Sequence, residues 1–111
     1  MRVLYIFSTA NASYILNDMI LPQLESGVHP VEVAGMFFFV DNNYLLVQGS
    51  PTAERLARQV EAGRIGFVMG CDQCCYARGI ADRLLPPASI GCFPNLYARA
   101  AERGVDQVIT L

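Results

Sequence analysis

Five apolar runs constrain the fold of this chain: "VLYIF" (3–7), "VEVAGMFFFV" (31–40), "IGFVM" (65–69), "ASI" (88–90) and "VDQVITL" (105–111). Helix-patterned or turn-rich segments separate them. The first run stops at the polar loop "STANAS", where Asn11 or Ser13 is placed to cap a helix. Tyr14, Ile15, Met19, Ile20 and Leu24 are that helix's apolar positions, and Pro22 is expected to bend or end it. Ser50-Pro51 opens a second helix, with Ser as cap and Pro in the first turn. Its buried stripe reads Ala53, Leu56, Ala57 and Val60, with Gln59 off the stripe and Glu54–Arg58 as an i,i+4 pair. Gly63 stops it. A helical turn or two follows "IGFVM", and Pro86-Pro87 breaks the chain. Phe93-Pro94 begins the last helix, striped by Leu96, Tyr97, Ala100 and Ala101 and stopped by Gly104.

Strands joined through helices of this length call for right-handed crossovers. The expected fold is therefore α/β, with a mainly parallel sheet of about five strands and helices on both faces. Such sheets carry their sites at the carboxyl ends of the strands. Three loops are expected to meet there: "STANAS", "DNN" (41–43) and "GCDQCC" (70–75).

The 111 residues suffice for one domain, 1–111, with a single core. Charged residues make up 16% against 53% apolar, so some apolar surface is expected to be buried against other subunits. A net charge of −2 gives no basic footprint for nucleic acid. All eight basic residues are Arg; without Lys the chain has neither a Schiff-base nucleophile nor a Walker phosphate lysine. "VAGMFFFV" is too short to span a bilayer. "VLYIF", although followed by Ala10-Asn11-Ala12, is too short for a secretory leader. The chain reads as cytoplasmic and not membrane-bound.

Three of the four cysteines fall within Cys71–Cys75, directly after the third apolar run. In a reducing compartment this clustering points to reactive thiols or metal rather than a disulfide framework. Four readings compete. Small thiols can simply pack behind a sheet. Cys71 and Cys74 supply two zinc ligands, but Cys92 and His29 would have to be recruited to complete a tetrahedron. The same C-x-x-C can act as a dithiol redox pair, with Cys92 as an alternative resolving thiol. Finally, Cys71 at a strand end and helix start can act as a nucleophile that accepts sulfur. Asp72, as a neighbouring carboxylate, opposes a thiolate unless it is occupied as the helix cap. Asp41 is placed to orient or deprotonate a thiol if its loop closes over Cys71, and Arg78 and Arg83 are available cations. His29 reads as a turn residue, and "STANAS" as a capping loop able to hold an anion.

The segment Cys71-Asp72-Gln73-Cys74, then Arg78-Gly79-Ile80, resembles the site of the DsrE/DsrF family of small sulfur-relay proteins, including its YchN-like branch. "FFFVDNN" is similar to that family's Phe-rich strand and acidic loop, and "AAERGVDQVITL" to the YchN-like ending. The resemblance implies a flavodoxin-like three-layer sandwich assembled as a trimer or hexamer, from copies of itself or related subunits. It implies Cys71 as the sulfur-accepting cysteine, with sulfur donor and acceptor proteins as partners. Cys74 follows as an auxiliary thiol, and Asp41, Arg78 and Cys92 as supporting residues. No cofactor and no resident metal are expected. Cys75 is an extra thiol that departs from the family pattern.

Overall fold

The computed structural model describes residues Met1–Leu111. Its strands are β1 (Arg2–Phe7), β2 (Glu32–Phe38), β3 (Val68–Cys71), β4 (Ala88–Gly91) and β5 (Gln107–Thr110). They form one parallel sheet in the order β4-β3-β2-β1-β5. The first four strands step outward in sequence, and the chain then returns to the far side of β1. Right-handed crossovers put every connection of an outward run on one face and the return on the other. Thus α1 (Ala12–Ile15), α2 (Leu21–Glu25), α3 (Pro51–Glu61) and α4 (Asp72–Ala77) cover one face, while α5 (Phe93–Glu102) alone covers the other. The result is the expected three-layer α/β sandwich of flavodoxin-like type.

Side-chain alternation along the strands feeds two unequal cores. Val3, Tyr5, Phe7, Met36, Phe38 and Val68 face the large core of 20 buried residues. Leu4, Phe37, Met69 and Cys71 face the α5 side, where only six buried residues cluster around Leu96. Phe7 and Phe38 stack across β1 and β2 with centroids 4.8 Å apart, a contact worth about 1 kcal/mol beyond its buried area.

Several local expectations are corrected. Asn11 takes the N-cap position of the first helix as one of the two expected residues, but its side chain makes no cap bond, and Ser13 lies inside the helix. Pro22 does not end the helical run. A π turn, Leu16–Ile20, precedes it, and the chain continues helically to Glu25, with Pro22 in the first turn of α2. The wider turn rephases the apolar face, so Leu16, Ile20, Leu21 and Leu24 are buried while Tyr14 and Met19 face out. Ser50 caps α3 as expected, accepting from Ala53 N–H. Gln59, however, is buried on α3, its carbonyl receiving Arg64 and Ile65 N–H. Glu54 and Arg58 form no ion pair; instead Arg55 grips Glu25 bidentately at 2.8 and 2.7 Å, tying α3 to α2.

The second strand is shorter than the 31–40 run, ending at Phe38, and Val40 has a left-handed φ of 45°. The third lies later than 65–69, at Val68–Cys71; Ile65 makes only an isolated bridge to Val33, and Gly66 rests against the Ala34 carbonyl. On α5 only Leu96 of the expected stripe is fully buried. Tyr97 and Ala101 are exposed, because one thin layer cannot enclose that face.

Candidate functional site

The three loops expected to converge do meet at the carboxyl end of the sheet. Asn42, buried in the Val40–Leu46 turn of 3-10 helix, donates from Nδ2 to Thr9 O at 3.0 Å. Val40 N–H donates to Cys74 Sγ at 3.2 Å, and Asp41 Oδ1 accepts from Arg78 Nε at 2.8 Å. The loops after β1, β2 and β3 therefore form one unit around the cysteines.

Cys71 is both the last residue of β3 and the N-cap of α4. Its Sγ accepts from Cys74 N–H at 3.4 Å, so the thiol takes the capping role considered for Asp72. Asp72 instead receives its neighbour's Gln73 N–H at 2.7 Å. Cys71 is 8% exposed, among Leu4, Phe37, Met69 and Leu96. Burial, reinforced by the adjoining Cys74 thiol, pushes the Cys71 thiol up, favouring S–H over thiolate. Cys74, one turn on, is half-buried against the same cluster, and its sulfur receives the Val40 amide. Cys71 and Cys74 thus form one site on the α5 side of the sheet, with Cys74 the more accessible thiol.

Cys75 lies on the opposite face, fully buried in the large core. Its S–H donates to Asn43 Oδ1 at 3.3 Å. Burial first, then the Cys74 and Cys71 sulfurs, push this thiol up to about 11, so it remains a donor at neutral pH. Asn43, also fully buried, donates from Nδ2 to Phe38 O and Val40 O, both at 3.0 Å. Gly70 makes the arrangement possible: a Cβ there would stand 2.5 Å from Asn43 Oδ1 and 3.4 Å from Cys75 Sγ. Sequence reading missed Asn43. The signal present was "DNN" opposite Gly-Cys, but nothing in the residue order says which Asn turns inward.

Asp41 does not reach Cys71; its carboxylate is bonded to Arg78. Arg78 Nη1 donates to Cys74 O at 3.1 Å, so this guanidinium holds the helix backbone rather than a sulfur. Arg83 donates to Gly79 O, away from the thiols. Cys92 is the N-cap of α5, its N–H bonded to Asn95 Oδ1 at 2.9 Å. Gly91 pairs with Cys71 in the β3–β4 ladder, which sets Cys92 one residue beyond, on the neighbouring strand end. No hydrogen bond joins it to Cys71 or Cys74. His29 is no simple turn residue: its Nδ1 donates to Gln23 Oε1 at 2.8 Å, and its Nε2 accepts from the Tyr5 hydroxyl at 3.0 Å. It is therefore committed elsewhere, and no three His, Cys, Asp or Glu side chains are grouped to hold a metal ion.

All four cysteines are free. The surface has three clefts, of about 270, 240 and 280 Å³, and neither Cys71 nor Cys74 lines any of them. No helix is long and apolar enough to cross a membrane.

No protein-family model matches the chain, and no curated protein matches it by sequence. Solved structures do match. The YchN protein of E. coli aligns over 100% of both chains with a TM-score of 0.70 at 16% identity. A protein of unknown function from Methanobacterium thermoautotrophicum aligns over 99% of this chain and 97% of its own, with a TM-score of 0.68 and 15% identity. Another, from Bacteroides thetaiotaomicron, aligns over 99% and 94%, with a TM-score of 0.69 and 12% identity. At these identities the likeness is one of fold.

Proposed function

We propose that this protein is a cytoplasmic sulfur carrier that holds sulfane sulfur as a persulfide on Cys71, loaded through Cys74. The observation that carries the reading is the pair of free thiols at the carboxyl end of β3, one sheltered and one accessible. The Cys74 thiolate attacks the outer sulfur of a donor persulfide; that S–S bond breaks, and the donor departs as a thiolate. Cys71 then attacks the outer sulfur of the Cys74 persulfide. Its proton passes to the departing Cys74 sulfur, leaving Cys71–S–SH among apolar side chains that exclude water. A partner thiolate takes the sulfur by the same exchange. Arg78 and Asp41 support the site by fixing the α4 backbone to the facing loop. Assembly into a trimer or hexamer, with copies or related subunits, belongs to the same proposal. It is supported by the exposed Phe93 and Tyr97 on the thinly covered face.

Incubating reduced protein with a persulfide donor and recording intact mass tests this function. The wild type is expected to gain one sulfur, Cys74→Ala to load about tenfold more slowly, and Cys71→Ala to retain none. No gain in the wild type, or an undiminished and lasting gain in Cys71→Ala, contradicts it. The adjacency of the two thiols also favours a second reading, thiol–disulfide exchange through a Cys71–Cys74 bond. Oxidation with loss of two hydrogens, together with no sulfur gain, would select that reading.

A further inference from the structure

We infer that Asn43 is a positioning residue that sets the reactivity of Cys74 by holding Val40 in a left-handed turn that aims its N–H at the Cys74 sulfur. A β-branched residue at positive φ is a genuine outlier, kept only where its surroundings over-determine it. Here they do. Asn43 Nδ2 spans Phe38 O and Val40 O, closing the chain reversal from both sides. Its Oδ1 is pinned by the Cys75 thiol, and the space it occupies exists because residue 70 has no side chain. The side chain is fully buried with all three of these bonds made, so it cannot turn away without leaving polar atoms unpaired.

The output of this clamp is one bond, Val40 N–H to Cys74 Sγ at 3.2 Å. A fixed N–H donor holds the Cys74 sulfur in one place for attack on an incoming sulfur. Cys75, silent in the chemistry, thereby acquires a role: it orients Asn43 from the opposite face of the sheet. Cys71, Cys75 and Arg78 are the ionisable groups coupled to Cys74 from its own strand and helix, Asp72 lies beside Cys71 and Cys75, and Asp41 and Tyr44 on the facing loop reach Arg78. Asp41 and Arg78 neutralise each other in an ion pair, which leaves the Val40 amide as the directed contact from the loop. The inference deepens the sulfur-carrier reading and takes its biological meaning from it.

The test is the rate of Cys74 alkylation by iodoacetamide across pH, read by mass from the peptide spanning residues 65–78. Asn43→Ala is expected to lower the alkylation profile about tenfold at neutral pH. Cys75→Ala, which frees the Asn43 amide to turn, is expected to lower the profile less. Asn42→Ala cuts the loop's tie to Thr9 but not the clamp, and is expected to keep the wild-type profile. A folded Asn43→Ala protein with the wild-type profile overturns the inference, as does an Asn42→Ala loss equal to that of Asn43→Ala. Should Asn43→Ala fail to fold, an unmoved profile in Cys75→Ala overturns it. No sulfur donor enters this measurement. A protein that shows the loss yet never gains sulfur would lose only the function proposed above.

Discussion

Two residues at the site carry local costs that the surrounding bonds offset. Val40 at φ 45° is strained by about 1–3 kcal/mol and is nearly half exposed, so its side chain gains little burial in return. Val40→Gly is therefore expected to raise stability by about 1 kcal/mol in urea unfolding, Gly's greater unfolded-state entropy absorbing the rest. A lowered midpoint would mean that the turn is not strained. Gly70 is the converse. A methyl group there meets the Asn43 carboxamide and Cys75, which are held rather than free to yield. Gly70→Ala is expected to lose about 1–3 kcal/mol; an unchanged midpoint would mean that Asn43 does not sit where described.

Among the elements, the helices and strands whose signals are local were legible in the sequence, and the exceptions have physical reasons. Ser50-Pro51 caps and starts α3 as its chemistry demands. The start of β3 was misplaced because "IGFVM" is apolar throughout, and only the close approach of Gly66 to β2 decides where the ladder begins. The π turn before Pro22 was invisible, since it changes the phase of the apolar residues and not their number. At the site, the strand-end cysteines and the meeting of three loops were readable. The division of the thiols between two faces was not, because it depends on where the last strand residue falls.

The α1–α2 helical run and the turn after it are tied to β1 through His29 and to α3 through Glu25, and both ties are expected to respond to pH for a reason also absent from the sequence. Half-burial holds the His29 imidazole below its ordinary value of 6.5, and Arg55 holds Glu25 below the usual carboxylate range. Both groups bind protons more weakly folded than unfolded. Each therefore contributes stability above its unfolded value that is lost as pH falls through the folded one. Melting temperature is expected to fall between pH 7 and about pH 5 from His29 and again below about pH 4.5 from Glu25. His29→Gln should flatten the upper step and leave the lower; an unaltered upper step would remove His29 from the account.

At the scale of the whole molecule, the sheet is lopsided: one face lies under a 20-residue core, the other under a single ten-residue helix. Phe39, Phe93 and Tyr97 form an aromatic ladder from the Cys71 cluster to the surface, with centroids 5.6 and 6.0 Å apart. Covering this ladder with another subunit would place a partner beside the thiols. Sedimentation at micromolar concentration is expected to give a mass of several chains, and Tyr97→Glu to reduce it; a single-chain mass would contradict assembly.

Sulfur is expected to come to rest on Cys71, and locating it on the loaded protein is the most direct test. Cleavage after Arg64 and Arg78 releases one peptide holding Cys71, Cys74 and Cys75, whose fragments distinguish the three. After persulfide loading and rapid alkylation, the added sulfur is expected on Cys74 at the earliest times and on Cys71 at equilibrium. Sulfur that remains on Cys74, or reaches neither residue, would contradict the account.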